Sequence, residues 1–115
     1  MRYLLLIASE PPATPPTEAE WMAMLGEYNK FGSWAEEKGW LLGGEALEDV
    51  TAATTVSIRD GRRIVTDGPF AETKEHLGGY YLINVPSLDD AIEAAFRLPG
   101  AALGRVEIRP IREFG

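Results

Sequence analysis

Gly79-Tyr80-Tyr81-Leu82-Ile83-Asn84-Val85 decides the fold, because it is apolar on both of the faces that a strand presents. Tyr81, Ile83 and Val85 share one face and Tyr80 and Leu82 the other, since side chains alternate along a strand. Such a strand belongs inside a sheet that is covered on both sides. The opening run Tyr3-Leu4-Leu5-Leu6-Ile7-Ala8 has the same character and reads as a second inner strand. Its apolar stretch is only about half the length of a secretory leader's, and nothing in the chain approaches the roughly 20 apolar residues that span a bilayer. A soluble, cytoplasmic protein with no membrane partner is expected.

The remaining elements follow from their end signals. Ser9-Glu10-Pro11-Pro12-Ala13-Thr14-Pro15-Pro16 is a stiff extended connection, since proline removes donors and fixes φ. Thr17 and Glu20 have the spacing of a capping box, and Trp21, Met24, Leu25, Tyr28, Phe31 and Ala35 recur at helical intervals up to Gly39. Trp40 to Leu47 reads as a strand whose glycine pair marks a bulge or a close backbone approach. Thr54 to Thr66 is rich in β-branched residues around Asp60-Gly61, a hairpin signal. A three-residue loop with Gly61 as a bulge, pairing Val56 with Ile64, is preferred over a two-residue loop that pairs Ser57 with Ile64. Asp67 to Gly78 is expected to be irregular. Ser87 caps a second helix with the stripe Leu88, Ala91, Ile92, Ala95 and Phe96, stopped by Pro99-Gly100. Arg105 to Ile111 alternates as a strand wet on one face, and Pro110 suits a sheet edge.

The 115 residues make a single domain, 1–115, with 45% apolar and 25% charged residues, an ordinary globular balance. There is no cysteine, which excludes disulfides and thiolate chemistry. A net charge of −7 opposes binding to nucleic acid, and Arg59, Arg62 and Arg63 are the one basic cluster. One histidine and no cysteine leave only carboxylates for a metal, in no dedicated spacing, so no metal or cofactor is expected.

The order strand, helix, strand, hairpin, strand, helix, strand is α+β: a ferredoxin-like split β-α-β with an inserted hairpin, two helices covering one face of an antiparallel sheet. The second face would then expose a contiguous apolar patch. Either a partner subunit covers it, giving a homodimer that packs sheet on sheet, or the hairpin folds back over its own sheet. The homodimer is the preferred reading.

Asp67-Gly68-Pro69-Phe70-Ala71-Glu72-Thr73-Lys74-Glu75, followed by Leu77-Gly78-Gly79-Tyr80-Tyr81-Leu82, resembles the signature of the DGPF-domain family of YCII-related proteins. The resemblance extends over the chain, through Gly43-Gly44-Glu45, Thr54-Thr55-Val56, Ser87-Leu88-Asp89-Asp90-Ala91 and Val106-Glu107-Ile108-Arg109-Pro110. It implies a dimeric α+β barrel built from two ferredoxin-like subunits. It also implies a regulatory setting, since genes of such proteins often lie beside those of extracytoplasmic-function sigma factors. The active site proposed for the broader group pairs a histidine before or early in the first helix with an aspartate. This chain has no histidine there, and its His76 stands where relatives commonly carry glutamine.

His76 is the candidate general acid or base, because imidazole ordinarily titrates near neutral pH, with Asp67 as its first candidate carboxylate and Glu72 or Glu75 as others. The preferred reading of His76 is nevertheless a surface histidine in a charged loop. Asp67, Gly68, Pro69 and Phe70 suit a structural loop at least as well as a catalytic one, and for Lys74 a surface ion pair is preferred over a ligand anchor. Tyr80, Tyr81, Lys74, Glu72 and Phe70 are the candidate ligand contacts, one tyrosine facing the core and the other the dimer cavity. The function read from this is a homodimer binding a small molecule between sheets, with acid–base chemistry open to it. The alternative is a regulatory protein with a sigma-factor-linked partner and no catalysis.

Overall fold

The computed structural model describes residues 1–69 and 73–114. In chain order these form β1 (Arg2–Ser9), α1 (Glu18–Glu37), β2 (Leu41–Ala46), a single 3-10 turn (Val50–Ala52), β3 (Thr54–Arg59), β4 (Arg62–Asp67), β5 (His76–Asn84), α2 (Leu88–Phe96), α3 (Gly100–Leu103) and β6 (Arg105–Pro110). The four-stranded sheet runs β2-β5-β1-β6 and is antiparallel throughout, while β3 and β4 make a separate two-stranded ribbon. This is the α+β, ferredoxin-like arrangement with an inserted hairpin. The two inner strands are the two that are apolar on both faces.

The core lies between the sheet and the helices. Leu5 pairs with Tyr81 and Ile108, and Tyr3 pairs with Ile83, so these side chains share the helix-covered face. Tyr3, Leu5 and Ile83 are at most 2% exposed there. Phe31 and Ala35 of α1, Ala91, Ala94 and Ala95 of α2, and Val85 and Leu98 complete the buried hydrophobic set among the described residues. The Thr17 hydroxyl accepts the Glu20 N–H at 3.2 Å and the Glu20 carboxylate accepts the Thr17 N–H at 3.2 Å, so the capping box forms as expected. Gly39, at φ 72°, ends the helix.

Four details depart from the sequence reading. The hairpin turns in two residues, with Asp60 at φ 52° and Gly61 at φ 76°, and Ser57 pairs with Ile64. Two successive left-handed residues match the twist of a ribbon, and aspartate tolerates that conformation well enough for the bulge to be unnecessary. Strand β5 begins at His76, three residues earlier than expected, because an irregularity in pairing opposite Ile7 and Ala8 carries the ladder past Gly78. On α2 the buried edge is made of alanines, whereas Leu88, Ile92 and Phe96 are exposed, because only small side chains let a helix lie close against this sheet. Only the second half of α1 is covered; Trp21 and Leu25 project beyond the sheet, which a helix of 20 residues, about 30 Å long, overhangs.

The hairpin does not fold over its own sheet. It has no extensive contact with the other described elements, and the radius of gyration is 16.3 Å, against about 13 Å for a compact chain of this length. The second face of the sheet, carrying Leu4, Leu6, Tyr80 and Leu82, is consequently half-buried, in contrast to the alternate residues of the same strands.

Candidate functional site

His76 enters the sheet as the first residue of β5, opposite Ser9 of β1. It is half-buried, and its Nδ1 atom is sealed from solvent with no hydrogen-bond partner among the described residues. It is therefore not the free surface histidine of a charged loop. The imidazole lines a cleft of about 210 Å³ between the end of the sheet, the proline-rich connection and the 3-10 turn. Pro11, Pro12, Leu47 and Leu77 give the cleft apolar walls, and Asp49 supplies an acidic one.

Asp49 is fixed locally. Its carboxylate accepts the Thr51 hydroxyl at 2.7 Å and the Thr51 N–H at 3.3 Å, capping the 3-10 turn. These hydrogen bonds hold its pKa below the ordinary aspartate value, and the neighbouring His76 charge adds a smaller pull in the same direction. Asp49 thus stays an anion beside the imidazole. A histidine with one nitrogen unpartnered and a fixed carboxylate nearby is the pairing used for proton transfer.

The candidates drawn from the sequence scatter around this cleft. Asp67 ends β4 opposite Thr54, is exposed, and does not line the cleft. The adjoining Gly68, at φ 102°, donates its N–H to Ala53 O at 2.7 Å and accepts the Thr55 hydroxyl at 2.7 Å, so this part of the signature ties the hairpin's base. Lys74 is exposed and forms no ion pair among the described residues, whereas Glu75 binds Arg105 at 2.9 Å. Phe70 and Glu72 lie outside the described residues. Tyr81 faces the core, its ring 4.8 Å from Phe31 and 6.4 Å from Tyr28, and burial pushes the Tyr81 and Tyr28 phenols up. Tyr80 is thereby the tyrosine on the open face, between Leu6 and Glu45.

Asp49 was not among the sequence candidates. The Asp49-x-Thr51 spacing announces a capped turn, but nothing local says that the turn meets the start of β5. Among the described residues no three histidine or carboxylate side chains converge as a metal site would require. Among the described residues no helix is long and apolar enough to cross a membrane.

Comparison with known proteins bears on the whole chain. The family model for the YCII-related domain matches residues 1–115. An uncharacterised protein of Rhizobium meliloti (strain 1021) is 49% identical over 67 residues, which is 56% of this chain and 54% of that relative. The match thus spans about half the length of the curated relative.

Proposed function

This chain belongs to the YCII-related domain family, and on that premise we propose that it works as a homodimer binding a small molecule in the His76 cleft, with the imidazole as general acid or base. The half-buried His76 imidazole in the wall of the cleft, with the fixed Asp49 carboxylate in the same lining, carries the reading. The cleft combines apolar walls with two acidic residues, Glu48 and the locally fixed Asp49, the composition of a small-ligand site. At about 210 Å³ it is smaller than the roughly 300 Å³ of a drug-sized pocket, so it takes a small molecule or one end of a larger one.

The second copy covers the open sheet face. The chain exposes 8669 Å², against about 6,200 Å² for a compact monomer of this mass. That excess is about three times the roughly 800 Å² that each partner contributes to an ordinary stable interface. Packing Leu4, Leu6, Tyr80 and Leu82 on their counterparts would remove part of it. Tyr80 then lines the space between the two sheets.

Native mass spectrometry of the purified protein, with the His76→Gln variant alongside, tests the cleft. A small-molecule adduct on the wild type that is lost or at least about tenfold weaker in the variant is expected. Equal retention by both would remove His76 from the site.

A further inference from the structure

Two apolar surfaces that the chain leaves open match one another. On the body, Ile92, Ala95 and Phe96 of α2, Ala101 of α3, and Val106 and Ile108 of β6 enclose a groove of about 200 Å³ with no polar residue in its lining. Phe96 is 76% exposed at its rim. Beside it, β6 is an edge strand with one row of backbone groups unpaired by the sheet. On the hairpin, Val56 pairs with Val65, and Ile58 stands two residues along on the same face. These three are 72%, 68% and 65% exposed. Each hairpin strand also has a free edge.

A protein seldom leaves both an apolar ribbon and an unpaired edge beside an apolar groove in water. The hairpin cannot reach its own groove, because it is rooted between β2 and β5, across β1 from β6. A second copy can. Hairpin and groove occur once each per chain, so a two-fold exchange leaves neither open, which a foreign partner would not achieve.

We propose that in the homodimer the hairpin of each copy lies along the α2–β6 groove of the other, seating Val56, Ile58 and Val65 against Ile92 and Phe96 beside the free edge of β6. This rests on the dimer proposed above and assigns the place of its hairpin. Main-chain pairing supplies affinity and the apolar side chains fix register, as in other strand additions.

The absence of native cysteine makes the test direct. Val56→Cys combined with Phe96→Cys, both at exposed positions, is oxidised mildly, and its mass is measured by sedimentation and on non-reducing gels. A disulfide-linked dimer is expected, which requires the two Cα atoms to come within about 7 Å. Val56→Cys with Leu82→Cys serves as the competing geometry, in which the hairpin lies on the partner's sheet face. Linkage in that pair instead, or a dimer by sedimentation with no linkage in the first pair, overturns the placement. A monomer by sedimentation overturns the dimer itself. Phe96→Asp should weaken dimerisation at least about tenfold, and an unchanged dimer would count against the groove.

Discussion

Gly44 and Gly79 show how single residues set the close pairing of β2 with β5. A Cβ at Gly44 would stand 2.6 Å from the Tyr81 ring and 2.7 Å from Tyr80 O, and one at Gly79 would stand 2.8 Å from Glu45 O. The glycine pair read from the sequence as a close backbone approach is therefore one at Gly44, beside a shift in register between Leu41 and Gly43. Gly44→Ala should lower unfolding stability by about 1–3 kcal/mol in urea titration, since the Tyr81 ring must leave its place against Phe31. Tyr81 also carries a pH dependence. Its raised pKa means that burial favours the neutral phenol, so its contribution is complete below the ordinary tyrosine value of about 10 and fades as pH rises through the folded value. Urea midpoints at pH 8 and pH 11 should fall less in Tyr81→Phe than in the wild type; equal loss in both would assign the alkaline sensitivity elsewhere.

At the scale of elements, what the sequence revealed and what it concealed separate by range. The capping box of α1, the Ser87 cap of α2 and the two inner strands follow from residues within a few positions of one another, and all form. Thr17→Ala should cost about 1 kcal/mol, seen as faster amide exchange in the first turn of α1, where no sheet lies beneath to compensate. The site was only partly legible because its groups are brought together from afar. His76 could be picked out as the one histidine, but its burial depends on β5 running three residues further, and Asp49 arrives on a turn 27 positions away in a chain whose local pattern marks only the turn. The stripe of α2 misled for a different reason. Of the expected stripe Ala91 and Ala95 are buried, together with Ala94, whereas Leu88, Ile92 and Phe96 are not, because close approach to the sheet selects small side chains. The larger residues are thus left over from the core, and Ile92 and Phe96 are available to the second copy in the proposed homodimer.

The whole molecule is a thin, open object with principal extents of 47 × 47 × 18 Å. A helix layer on a sheet layer accounts for its thickness, and the projecting hairpin contributes to its breadth. An isolated chain of this shape keeps Leu4, Leu6, Tyr80 and Leu82 on one side, and Val56, Ile58 and Val65 on the hairpin, in partial or full contact with water. Leu82→Lys places a charge at the centre of the proposed sheet-to-sheet contact without touching the helix-covered core, and should yield a folded monomer with unchanged helix content by circular dichroism. A dimer that persisted in this variant would move the contact off the sheet face. Sedimentation equilibrium of the unmodified protein at micromolar concentration tests the central claim most directly: the account predicts twice the chain mass of 12.6 kDa, and a single species at 12.6 kDa would contradict it.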